Sequence, residues 1–119
     1  MADSQLRQKS ADFAKDIVLT CRKMRMNNIE TALINQLLRC GTSVGANIHE
    51  AQFAQGTKDF ISKFEIALKE CNESDYWIKL LLNTDSIDPE DSGRLIRQCD
   101  ELRRMLISSV TTLKAKIAE

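Results

Sequence analysis

In TKDFISKFEIALKECNESDYWIKLLLN, residues 57–83, the side chains Phe60, Phe64, Ala67, Leu68, Cys71, Ser74, Ile78 and Leu82 recur at three- and four-residue steps. That spacing puts them on one face of an α-helix and is foreign to the alternation of a strand. Twenty-seven residues at 1.5 Å each give a helix about 40 Å long. Gly56 punctuates the turn before it, and Thr57 is placed to cap the first free amides.

Working outward, the next segment opens with Asp88 as a cap, Pro89 at the first helical position, and Glu90 and Asp91 in the first turn. Its inner face is Leu95, Cys99, Leu102, Leu106, Ser109, Val110, Leu113 and Ile117. Upstream, a helix over about Thr31 to Gln52 aligns Ile34, Leu37, Leu38, Gly41, Val44, Gly45 and Ile48. Glycine inside a helix costs about 1 kcal/mol relative to alanine. Gly41 and Gly45 on the buried face therefore predict an unusually close neighbouring helix. A first helix over about Ser4 to Arg25 aligns Leu6, Ser10, Phe13, Ala14, Ile17, Cys21 and Met24, and Asn27-Asn28 offers a left-handed stop. Short connections between long helices imply antiparallel neighbours. The expectation is an all-α fold, a four-helix antiparallel up-down-up-down bundle, in one domain over residues 1–119.

Composition agrees. Apolar residues make up 43% and charged residues 29%, with four glycines and one proline, so sheet is disfavoured. Seventeen basic residues balance seventeen acidic ones, without the positive excess by which a dedicated nucleic-acid binder gains affinity. The first residues lack the apolar stretch of a secretory signal, and no apolar run reaches membrane-spanning length, so a cytoplasmic protein with no membrane partner is expected. Cys21, Cys40, Cys71 and Cys99 fall one per helix, on or near apolar faces and in no Cys-x-x-Cys pair. They read as reduced, structural thiols.

Catalysis should leave a constellation, and the chain holds none. His49 is the sole histidine, and its neighbour Glu50 points about 100° away on a helix. No Glu-x-x-His is present for a di-iron site, and neither a phosphate loop nor a nucleophile elbow occurs. The expectation is a protein that is not an enzyme, with no catalytic, metal or cofactor-binding residues.

Two outward features remain. Ile66, Trp77, Leu80 and Leu81 lie off the core stripe of the third helix, joined by Leu19, Met26, Met105 and Ile107 elsewhere. An exposed tryptophan among aliphatic residues points to a subunit interface. Two basic runs, Arg22, Lys23 and Arg25, and Arg103, Arg104, Lys114 and Lys116, sit towards helix C-termini, where they complement the dipole. In the bundle, Arg7, Lys9, Lys58, Lys114 and Lys116 fall towards one end, the candidate phosphate-contacting surface.

The stretch Leu38 to Ala51, LRCGTSVGANIHEA, resembles the signature of the bacterial four helix bundle proteins, also called 23S rRNA intervening-sequence proteins. The similarity continues through Lys58-Asp59-Phe60-Ile61, through Phe64 to Glu70, and through Glu73 to Leu81. The resemblance implies a protomer that assembles as a homopentamer. Some relatives are encoded within intervening sequences of 23S rRNA genes. Others accompany the reverse transcriptases of diversity-generating retroelements, where basic surfaces meet nucleic acid. It also marks Asn47 and Glu50, on the flank of the second helix, as candidate interface residues. Two functions follow: an oligomeric bundle engaging structured RNA or an RNA-handling protein, or an assembly module without nucleic-acid affinity.

Overall fold

Residues 2–118 are described by the structure, a computed structural model, with side chains over 4–118. Four helices account for nearly all of them: α1 (Ala2–Met26), α2 (Thr31–Ala51), α3 (Thr57–Asn83) and α4 (Pro89–Ala118). Each packs on the next in sequence, and α4 returns beside α1. The backbones of the diagonal pairs make no close approach among the described residues, which is the up-down-up-down arrangement expected. The rod measures 52 × 21 × 21 Å.

Local chemistry sets the ends. Asn28 adopts φ 60°, the left-handed conformation that stops α1. Asp85, at φ 54°, does the same after α3, where the Ser86 amide reaches back to the Leu81 carbonyl at 2.8 Å. The Asp88 carboxylate accepts the Glu90 amide at 3.0 Å, as its capping position predicts. At α3 the expectation is corrected: Thr57 is already helical, and Gly56 takes the cap position in extended conformation with no side-chain bond. Asp59 turns back instead to accept the Gln55 amide at 3.2 Å.

The core is sealed by Phe13, Ile17, Leu37, Phe64, Ile78, Leu95 and Leu106 with their neighbours. Both glycines sit where α1 approaches. A Cβ on Gly41 would lie 2.8 Å from the Ile17 side chain, and one on Gly45 would lie 3.2 Å from the Ser10 carbonyl oxygen. All four cysteines are free and buried. Loss of water around the Cys21 thiol pushes its pKa up to about 11, which suits an inert core group.

Several phase assignments change. Leu81, expected off the core stripe, is fully buried, and Leu82 lies at the core edge. Trp77 is half-buried against the core rather than exposed, and so is Met105. Ile61 is a core residue that the spacing argument passed over. Ile117, expected inside, is 44% exposed. The cause is length: α4 has 30 residues and α2 has 21, about 45 and 31 Å of helix. Its last turns run past the α2–α3 connection. Among the described residues, no helix is long and apolar enough to cross a membrane.

Candidate functional site

The residues proposed for subunit contact converge on the outer groove between α2 and α3. On α3, Ile66, Glu70, Glu73, Trp77 and Leu80 follow one another at steps of three and four, a single stripe beside the core stripe. On α2, Arg39, Ser43, Asn47 and Glu50 do likewise. Cross-helix bonds show that the two stripes face each other. Arg39 pairs with Glu70 at 3.1 Å and with Glu73, and Lys63 reaches Glu50 at 3.5 Å. The Trp77 indole N–H donates to Glu73 at 3.1 Å. The Asn47 amide donates to the Ser43 carbonyl of its own helix at 2.9 Å. Leu81 is removed from this set by its burial.

Glu73 is the hub. Desolvation pushes its carboxyl up, but the Trp77 indole and the Arg39 guanidinium outweigh it and hold the carboxyl below the usual glutamate range. The charged form is thus favoured by folding. Its contribution is present at neutral pH and is lost as pH falls through the folded value. Trp77 is the only tryptophan, so its fluorescence reads this event. A step is expected at a pH below 4.5, before global unfolding, and Glu73→Gln should abolish it. The same step in Glu73→Gln would reject this network.

The five cations divide. Lys58, near the start of α3, and Lys114 and Lys116, near the end of α4, share one end of the rod. Lys9 pairs with Glu101 at 3.2 Å. Glu101 precedes Lys114 by thirteen residues, about 20 Å of helix, so Lys9 stands well away from that end. Arg7 bonds the Ser4 hydroxyl at 3.3 Å on the side of α1. Lys114 is already matched by Glu65 at 2.9 Å. Lys58 and Lys116 form no ion pair among the described residues.

Sequence reading missed one element of this end. Between the overhanging α4 and the α2–α3 connection lies a cleft of about 650 Å³ lined by Phe60, Leu113, Thr57, Ser108, Ser109 and Thr112, among others. Phe53 stands beside it in sequence, 75% exposed, its ring edge-on to His49 with centroids 5.5 Å apart. The hydroxyl-rich run Ser108-Ser109-Val110-Thr111-Thr112 was its only signal in the sequence.

Residues 2–108 match the family model described as 23S rRNA-intervening sequence protein. Among solved structures, the chain is similar to a crystal structure from Bacteroides thetaiotaomicron, titled a protein with unknown function from the S23 ribosomal protein family. The two are 40% identical, with 93% of this chain and 99% of that one covered and a TM-score of 0.89. No curated protein matches the chain.

Proposed function

The chain belongs to the 23S rRNA-intervening sequence protein family, and from that premise we propose that it is a non-enzymatic, self-associating bundle. Its α2–α3 groove joins copies of the chain, and the end bearing Lys58 and Lys116 meets structured RNA. The observation that carries the reading is the groove itself. Ile66, 38% exposed, and the half-buried Trp77 lie on one stripe of α3 about three turns apart, and the charges between them are already neutralised by partners in the same protomer. Burying such a surface removes apolar area from water without stranding a charge. Tryptophan and arginine are also the residues that anchor interface centres.

The pentamer implied by the family resemblance would use this groove against a different face of the next protomer, because a cyclic ring is built from heterologous contacts. Light scattering tests the reading. The unaltered protein should have a multiple of the 13.5 kDa chain mass, and Ile66→Asp should fall to the single mass with helicity unchanged. A monomeric parent, or an Ile66→Asp protein of parental mass, would overturn it. Binding of labelled structured RNA should weaken steeply with salt, and Lys58→Glu with Lys116→Glu should weaken it further.

A second reading, an assembly module with no nucleic-acid affinity, is favoured by one observation. Glu101 and Glu65 already neutralise Lys9 and Lys114. Absence of RNA binding even at low salt would select it.

A further inference from the structure

We propose that the cleft beneath the α4 overhang is a pocket for one unpaired nucleotide of an RNA chain. This rests on the reading that this end of the bundle meets RNA, and it names what is read there. The cleft's volume of about 650 Å³ lies within the range of ligand pockets, about 300–1,000 Å³. Its lining is of two kinds. Phe60 and Leu113 supply an apolar surface that a base can cover with its flat face. Ser108, Ser109 and Thr112 supply hydroxyls that can both donate and accept, as the edge of a base requires.

Those hydroxyls are uncommitted. In the rest of the bundle Ser10, Thr42, Ser74, Thr84 and Ser92 donate to carbonyls of their own helix at 2.7 to 3.3 Å, whereas Thr20, Ser43, Ser62 and Thr111 do not. The three in the cleft make no such bond among the described residues. Lys58 and Lys116, without carboxylate partners among those residues, lie at the same end and match the charge of the flanking phosphates.

A base inside a duplex has both faces stacked and its pairing edge occupied, so it can use neither the apolar surface nor the hydroxyls. An unpaired base in a loop can use both, which is how proteins commonly read RNA.

The test compares two fluorescein-labelled RNAs by anisotropy against the full-length protein: a hairpin with an all-adenosine loop, and a duplex with the same number of phosphates. The hairpin should bind about tenfold more tightly, the order of effect that one stacked base provides. Thr112→Leu, which fills the cleft from an exposed position without adding an aromatic face, should abolish that preference with helicity and assembly mass unchanged. Equal binding of the two RNAs by the parent, or an undiminished preference in Thr112→Leu, overturns the pocket while RNA engagement stands. If neither RNA binds at low salt, RNA engagement itself fails and the pocket falls with it.

Discussion

Gly41→Leu is expected to destabilise the bundle by about 3 kcal/mol, the upper part of the range for overpacking a well-filled core. Two effects oppose each other. Leucine is the better helix former by about 1 kcal/mol, so at an open site the substitution would stabilise. At Gly41 the first added carbon alone would lie 2.8 to 2.9 Å from three atoms of Ile17, which is itself fully buried. Sterics outweigh propensity, and either α1 retreats or Ile17 leaves its packed position. Urea unfolding followed by far-UV circular dichroism measures the loss. Ile17→Ala in the same chain should recover a large part of it, because the removed methyl groups vacate the space the leucine needs. A Gly41→Leu protein as stable as the parent would mean that α1 and α2 do not approach as described. Gly45 poses a different obstacle, because its neighbour is the Ser10 backbone and no side-chain change can relieve it.

Phe64→Ala should cost about 4 kcal/mol, within the span of about 3–5 for a buried phenylalanine. Phe64 has no exposure, sits in the N-terminal part of the α3 core stripe, and packs its ring 4.5 Å from that of Phe60. Domains have only about 5–15 kcal/mol in total. The variant therefore should unfold at much lower urea and can lose its fold on modest warming. The comparison that gives the number meaning is Phe53→Ala, the same chemical change at a ring 75% exposed. That change should stay within about 0.5 kcal/mol. Equal losses in the two variants would contradict the assignment of inner and outer faces.

Much of this architecture was legible because helices write their faces at short range. The reading of α3 as Thr57 to Asn83 coincides with the helix, and the two glycines of α2 correctly announced a close neighbour. The misplacement of Leu81 has a definite cause. Phe64, Ala67, Cys71, Ser74, Ile78 and Leu81 follow alternating steps of three and four, a 3.5-residue repeat that tracks the partner helices. Stepping from Ile78 to Leu82 leaves that repeat and pushes Leu81 to the wrong side. Trp77 lies at the margin of the stripe, where only the presence of α2 determines how much water reaches it.

The candidate surfaces were less legible, because they depend on residues far apart in the chain. Nothing near Lys114 announces that Glu65 neutralises it from 49 positions away. Ile117 continues the inner phase of α4, and its exposure follows only from where the other helices end. The α2–α3 groove was half visible: its α3 members could be picked out as apolar and off-stripe. The cross-helix partners that bind them into one network could not.

The seam between α1 and α4 is the least extensive of the four helix contacts, and polar groups do much of its bridging. Asp16 accepts Gln98 at 3.0 Å, and Lys23 reaches Asp88 and Asp91 at 3.3 and 3.0 Å. The buried Arg94 Nε and Gln98 Oε1 have no hydrogen-bond partner there. Solvent is well able to replace contacts of this kind, whereas it cannot replace the apolar packing of α2 on α3. The chain is thus a sheath of four rods with one loosely stitched edge. Its amides should surrender their hydrogens to heavy water in a corresponding order, with the overhanging last turns of α4 first and the middle of α3 last.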